Sequence, residues 1–321
     1  MSKVLYFGLF SGLFSVVFLI LGLLVSVAFY SLLERKVLSY IQFRKGPNKV
    51  GFIGIVQSFS DAIKLLSKGL MVLEKYNIFI YYLVPLFMFI ISVLIWVVFP
   101  YMGGMFLFSL GFLFIICLLS LGVYMLIFSG WSSNSVYSML GGLRGVIQSI
   151  SYEVSLVITM FFGFIYVGGF DISVFFFFQV YGNWFMLMVF PLVCILLISM
   201  MAEVNRTPFD FAEGESELVS GFNLEYSGVG FVMLFMSEYM AILFMSFFFV
   251  ILFMGGDYYS LIFFIKLFFV SFFFVWVRGS FPRYRYDKLM MLTWKIFLPV
   301  SLSFFMFNWG VYLFVCWNFF G

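Results

Sequence analysis

From Tyr76 to Leu143 the chain runs without one charged side chain. Val4 to Leu33, Ile172 to Ala202 and Ile296 to Gly321 are equally free of charge. A helix that crosses a bilayer needs roughly 20 mostly apolar residues, so each run holds at least one span. No soluble domain tolerates such stretches. The chain is 65% hydrophobic and 10% charged, where a soluble domain is about a quarter charged. The fold class that follows is all-α: a polytopic membrane protein with about eight transmembrane helices. They are expected near 5–33, 77–99, 106–129, 146–168, 175–203, 228–255, 260–278 and 295–318, and residues 1–321 read as a single integral membrane domain.

Charge sets the sidedness. The segments 34–76, 130–145, 204–227 and 279–294, with the helix ends bordering them, carry 15 of the 17 Lys and Arg; Lys3 and Lys266 are the exceptions. Basic loops mark the cytoplasmic side, or the matrix side for an organelle protein. The opposite loops, near Pro100-Tyr101, Gly168 to Asp171 and Gly255 to Tyr259, are short and nearly uncharged. The first apolar run is longer than the core of a cleavable signal and reads as a span. Cys117, Cys194 and Cys316 stand alone in apolar runs, which suits neither a disulfide framework nor a CxxC metal site. There is no histidine, so no haem or zinc is held here through imidazole, and no metal site is expected.

Four inner segments carry chemistry. In Leu32 to Gly51, Glu34, Arg35 and Lys36 are expected to close the first helix, and Gly46-Pro47-Asn48 reads as a turn. Basic residues at a membrane edge also serve simply as headgroup anchors. In Phe52 to Lys68, Phe52, Ile55, Val56, Phe59, Ile63 and Leu66 recur at helical spacing, with Gln57, Ser60, Asp61 and Lys64 opposite. That predicts an amphipathic helix lying in the interface, either a peripheral clamp or the wall of a lateral entrance.

Glu153, Glu203 and Glu238 fall inside or at the end of spans. An ionisable group at that depth costs at least about 2.5–3.5 kcal/mol and faces a partner or water. Such a group either passes protons or locks two helices as an ion pair, for which Arg144, Arg206 and Arg278 are available. Phe231, Phe235 and Glu238 share a helix face by i, i+4 and i, i+7 spacing, a lining for a flat apolar molecule or plain packing.

The densest feature is Ala202 to Tyr226, "AEVNRTPFDFAEGESELVSGFNLEY". Asp210, Glu213, Glu215, Glu217 and Glu225 stand within sixteen residues, balanced locally only by Arg206. Apolar residues run throughout, so the segment is expected to fold against the protein. Crowded carboxylates share protons, because ionising one raises the pKa of the next.

Here the residues carry a resemblance. This loop, extended to "AEVNRTPFDFAEGESELVSGFNLEYSG", is similar to the signature loop of the subunit 1 family of respiratory complex I, the mitochondrial NADH:ubiquinone oxidoreductase. "LLERKVLSYIQFRKGPNKVG" and "FSDAIKL" resemble its first inner loop; "GWSSNSVYSMLGGLRGVIQSISYEVSL" and "VRGSFPRYRYDKLM" resemble later ones. The likeness runs in order from about Val25 to Pro299.

The resemblance implies a core membrane subunit of a proton-translocating enzyme, in the mitochondrial inner membrane, with its charged loops facing the matrix. Ubiquinone is then the substrate, while NADH, FMN and the iron–sulfur clusters belong to partner subunits. The implied partners are other membrane-arm and redox-arm subunits of complex I, lipid and quinone, with no nucleic acid. Carried over by position, Glu34, Arg35, Arg44, Asp61, Phe231, Phe235 and Arg278 resemble quinone-tunnel residues, and Glu217 is placed with them. Glu153, Glu203, Asp210, Glu213, Glu215 and Glu238 resemble the proton relay. Glu225 also matches, without an assigned role. A proton-coupled secondary transporter is the competing class, but the inverted repeat common in such proteins is not evident.

Overall fold

A computed structural model describes residues 2–69, 76–99, 108–179, 184–219, 221–257 and 260–320, with side chains from Phe14 onward except 176, 215, 216, 315, 316 and 318–320. Gly12 is the one described side-chain position before Phe14. The expected outer loop at Pro100-Tyr101 lies outside the described residues, as do Tyr259 and the side chains of Glu215 and Cys316.

The regular structure of the described residues is all helical, without strands. In order they form α1 (Ser2–Ile41), α2 (Gln57–Ser67), α3 (Ile78–Trp96), α4 (Gly111–Ser132) and α5 (Val136–Val167). Three short pieces follow, α6 (Val174–Gln179), α7 (Phe185–Met188) and α8 (Phe190–Glu203). After α9 (Glu215–Leu218) come α10 (Gly228–Phe253) and α11 (Leu261–Ser280). The last are α12 (Tyr286–Leu292), a π-helical turn at Thr293–Phe297, and α13 (Leu298–Phe320). Seven helices are long and apolar enough to cross a membrane, and α8 is a shorter apolar one.

Helix α10 is the centre. From Tyr239 to Phe253 nearly every side chain is buried, the mark of a helix surrounded on all sides. It packs on α3, α1, α2 and α11, while α5 packs on α4, α8 and α13. At the C-terminal end of α10, Lys266 donates a 2.6 Å hydrogen bond to the Met254 carbonyl and lies 4.5 Å from the Trp184 ring centre. One of the two cations outside the inner loops therefore caps a helix C-terminus.

Several boundaries differ from the sequence expectation. Glu34, Arg35 and Lys36 do not close α1, which continues to Ile41. Glu34 is buried and paired, so its charge needs no water, and Ile41 still has a surface to cover at Gly279. The interfacial helix begins at Gln57 rather than Phe52. Gly51, Ile53 and Gly54 all have positive φ, and a side chain on Gly54 would sit 2.3 Å from the Pro47 carbonyl. That tight turn occupies the length expected to be helix. Phe59, Ile63 and Leu66 are exposed on α2, as befits a helix meeting lipid.

The expected loop 130–145 is mostly helix, because α5 starts at Val136. Gly130 and Gly142 bring α4 and α5 into backbone contact: a Cβ on Gly142 would stand 3.4 Å from the Gly130 Cα. Small residues that read as a turn are the crossing point of two helices. The expected fifth span, 175–203, is interrupted at Val189, which is outside both α7 and α8, with Pro191 in the first turn of α8. Proline lacks the N–H that would join the two pieces.

Candidate functional site

Two consecutive residues on α10, Glu238 and Tyr239, organise the buried charges. An α-helix turns about 100° per residue, so the two side chains leave the helix in different directions. Tyr239 continues the ring ladder of Phe231 and Phe235: the first pair is 5.8 Å apart between centroids and the second 4.6 Å. Its hydroxyl donates a hydrogen bond to Glu34 of α1, and Arg278 of α11 pairs with the other Glu34 oxygen. The i+4 step thus carries the ring ladder on from Phe235 to Tyr239.

Glu238 faces Arg206, whose Nη2 lies 3.4 Å from its Oε2. The same guanidinium is 4.0 Å from Glu213 and stands 4.8 Å over the Tyr239 ring. Arg206 therefore touches a carboxylate of α10, a carboxylate of the acidic loop and the ring that holds Glu34. Burial works against its charge, yet Glu238, Tyr239, Glu34 and Glu213 outweigh that and hold it more firmly protonated than an ordinary arginine.

The acidic loop is folded in, as its apolar residues imply. Phe209, Phe211, Ala212, Leu218 and Phe222 are buried. Arg283 reaches Asp210 at 3.5 Å, and Asn223 donates to Glu213 at 3.2 Å. Burial pushes both carboxyls up, against the pull of Arg283 and Arg206 on Asp210 and of Arg206 on Glu213; Asp210 adds to the rise at Glu213. The sign follows directly. Above the ordinary carboxylate pKa of about 4, the folded chain holds protons that an unfolded chain releases. The loop thus loses stability as pH rises through that window and gains proton affinity in exchange.

Glu203 ends α8 and meets Glu238 across a cleft of about 120 Å³ between α3, α4 and α10. Met88, Ile95, Leu119 and Met245 supply apolar wall; Ser92, Ser237 and Asn205 supply polar lining. Glu203 Oε2 is buried without a hydrogen-bond partner. Among the described residues no ion pair reaches Glu203 or Glu153, because Arg144, Arg206 and Arg278 are engaged by Glu217, Glu238 with Glu213, and Glu34. The helix-locking role is therefore filled for Glu238 and left unfilled for Glu203 and Glu153. Glu153 lies half-buried on α5.

The remaining residues expected to line a tunnel lie near the C-terminal end of α1 and on α2. Arg35 pairs with Asp61, which also accepts a 2.8 Å hydrogen bond from Gln57. Burial opposes the Asp61 charge, but these two donors win and hold its carboxyl below the usual range. Phe29 meets Phe59 edge-on at 6.1 Å, fixing α2 to α1. Arg44 is exposed, donates to the Gln42 side chain, and shares a cleft with Arg35 and Lys45. Glu217 stands apart from this group, on α9, paired with Arg144 of α5. Glu225 contributes its carbonyl, which accepts the Tyr81 hydroxyl at 2.7 Å.

Three participants escaped the sequence reading. Tyr239 was legible as the i+4 successor of Phe235. Arg283 was one basic residue among several. Gln148, whose side-chain amide donates to the Ala202 and Phe209 carbonyls, carried no signal, since a glutamine in an apolar helix has no single meaning. No group of three or more His, Cys, Asp or Glu among the described residues is placed to hold a metal ion.

These features define a class: a polytopic helical membrane protein that keeps a buried carboxylate–arginine network against an internal cleft. Comparison with known proteins makes it specific. The family model for NADH dehydrogenase matches residues 14–309. NADH-ubiquinone oxidoreductase chain 1 of Locusta migratoria is 54% identical over 305 residues, covering 95% of this chain and 97% of the locust protein. Chain 1 of Aedes aegypti is 53% identical over 297 residues, 92% and 95% of the two chains. Chain 1 of Apis mellifera ligustica is 43% identical over 298 residues, 93% and 97%. The chain belongs to the NADH-ubiquinone oxidoreductase chain 1 family.

Proposed function

We propose that this chain is a core membrane subunit of the proton-translocating NADH:ubiquinone oxidoreductase of the mitochondrial inner membrane. It forms the access tunnel for ubiquinone and the first part of the acidic relay that converts quinone reduction into proton movement. Partner subunits of the redox arm hold NADH, FMN and the iron–sulfur clusters and deliver the electrons, and the charged loops face the matrix. The observation that carries this reading is Tyr239, whose hydroxyl rests on Glu34 while its ring lies under Arg206. One side chain therefore touches both the tunnel group and the relay group.

The tunnel is bounded by α1, α2, α10 and α11, with the ladder Phe231, Phe235, Tyr239 as a flat apolar wall. Reducing ubiquinone to ubiquinol takes two electrons and two protons. Negative charge arriving on the quinone competes with the carboxylates for Arg278 and Arg206. Glu34, Glu213 and Glu238 then lose part of their positive surroundings and bind protons more tightly. Glu203, across the cleft from Glu238 and without a counter-charge, is the next acceptor, and Glu153 lies beyond it on α5; Asp210 and Glu215 belong to the same acidic reservoir. Discontinuous helices also occur in secondary transporters. Here the interruption at Val189 is at the opposite end of α8 from Glu203, about 20 Å away at 1.5 Å per residue, and does not serve the carboxylates.

The direct test is photo-crosslinking with a reactive quinone analogue in native membranes, with and without a competing quinone-site inhibitor. Displaceable label within 34–66 or 203–238 is the expected result. Label confined to other subunits, or label that never competes, removes the tunnel from this chain. Glu203→Gln and Glu238→Gln keep side-chain size and remove the titrating group. Each is expected to leave assembly largely intact while lowering coupled quinone reduction by about tenfold, the usual worth of a positioned acid or base being at least that. Normal coupled turnover in both variants takes these residues out of the relay.

A further inference from the structure

One face of α5 holds the acidic loop, and its residues are of two kinds. Gly141 and Gly145 let the loop backbone come close: a Cβ on Gly141 would stand 2.9 Å from the Ala212 carbonyl, and one on Gly145 would stand 2.9 Å from the Ala212 side chain. Gln148 and Tyr152 follow at i+3 and i+4 steps, so the four positions share a face. Tyr152 packs its ring 5.9 Å from Phe209. Gln148 is the amide-bearing side chain on that face, and it is fully buried.

Both protons of its amide are used. Nε2 donates 2.8 Å to the Ala202 carbonyl and 2.7 Å to the Phe209 carbonyl. Ala202 lies in the last turn of α8, immediately before Glu203. Phe209 lies immediately before Asp210. The chain between them carries Arg206. A single nitrogen thus closes the segment 202–209 into a loop and sets where Glu203, Arg206 and Asp210 stand relative to α5.

We infer that Gln148 is a positioning residue: its carboxamide pins both ends of this segment and so holds Arg206 in reach of Glu238, Glu213 and Tyr239. Its carboxamide titrates nothing. The inference rests on the relay reading above for its functional consequence, and on the two hydrogen bonds alone for the clamp itself. An amide suits the task because it offers two N–H donors from one atom. A buried carbonyl left without its donor costs more than the bond was worth, so losing the clamp shifts the segment until water or another donor reaches those oxygens.

The charged and titratable groups around this clamp are Glu203, Arg206 and Asp210 in the pinned segment and its flanks, Glu153 on α5 near Glu203, and Tyr284, whose ring packs 5.6 Å from Phe209 and whose N–H donates to the Pro208 carbonyl. Arg283 reaches in through Asp210 and Glu213 through Arg206, while Arg144 and Tyr152 stand one turn away on α5. Against that background, Gln148→Glu and Gln148→Leu differ in a way that packing alone does not produce. In Gln148→Glu the ionised carboxylate faces two carbonyl oxygens with no proton to give. Once protonated, the same carboxyl donates once. Leucine donates at no pH.

The test uses the intact complex carrying each variant, with two readouts: hydrogen exchange in peptides spanning 203–211, and the pH profile of coupled NADH:quinone turnover. Gln148→Leu is expected to raise exchange there and to lower turnover about tenfold at every pH. Gln148→Glu is expected to match it at high pH and to recover part of the protection and turnover as pH falls. Unchanged exchange in Gln148→Leu overturns the clamp, whatever turnover does. Identical pH profiles for the two variants also overturn it. Raised exchange with full coupled turnover upholds the clamp and overturns the relay reading instead. Should Gln148→Leu fail to assemble, Gln148→Glu carries the comparison, with its own high- and low-pH states as the two arms.

Discussion

Replacing Arg206 by Leu is expected to lower coupled NADH:quinone turnover by about 100-fold or more, the largest loss for any single side chain of the network. The guanidinium is shared by Glu238 at 3.4 Å, Glu213 at 4.0 Å and the Tyr239 ring at 4.8 Å. Its side chain is 11% exposed, so water cannot take its place. Breaking a buried pair by removing one partner costs about 3–5 kcal/mol, and here two carboxylates lose their cation at once. Both then bind protons, and the cluster becomes a neutral sink that no longer answers to charge on a quinone. On the proposed division of labour, with NADH, FMN and the clusters on partner subunits, oxidation of NADH by a hydrophilic acceptor serves as the control and should be unchanged. Arg206→Lys is expected to recover only part of the turnover, since an ammonium is a point charge without the planar fork that serves several partners. Retention of more than half the coupled turnover in Arg206→Leu would falsify the central place given to this residue.

Gly221→Ala is expected to prevent stable accumulation of the chain. Gly221 has φ +60 and opens the short helical turn Gly221–Asn223 at the end of the acidic loop. A Cβ there would lie 1.7 Å from the Ala212 carbonyl oxygen and 2.9 Å from the Glu213 Cα. Those are backbone atoms of the same loop, itself seated against Gly141 of α5, so nothing nearby yields cheaply. Strain at a left-handed non-glycine residue costs about 1–3 kcal/mol, and overpacking adds about 1–3 kcal/mol more. Against a total stability of about 5–15 kcal/mol, one methyl group consumes a large share. The check is the steady-state level of the chain in membranes, together with assembly of the complex. Normal levels would mean that the loop has another way to close.

The class of fold was legible from the uncharged runs alone, because a bilayer leaves few alternatives to a long apolar helix. The carboxylates at depth were legible for a similar reason: Glu203 and Glu238 are costly where they stand. Their pairing was not. Glu238 found Arg206 and Glu34 found Arg278, whereas Glu203 found no cation among the described residues. Sequence position holds no information on which arginine reaches which acid across helices. Boundaries failed where a residue type served packing rather than termination. Gly141 and Gly142 read as a loop but sit within α5. Glu34 to Lys36 read as a helix end but lie inside α1. The interruption at Val189 had only Pro191 to announce it.

Helix α10 has one further consequence. It is enclosed along most of its length, and interiors of this kind are close-packed and resist deformation. Glu238 and Tyr239 are neighbours on that one rigid rod. On the proposed reading they act as two teeth of a single gear: a shift that loosens the hold of Tyr239 on Glu34 would displace Glu238 from Arg206 in the same movement. News of events in the proposed tunnel then need not travel to the proposed relay, because both are mounted on the same shaft.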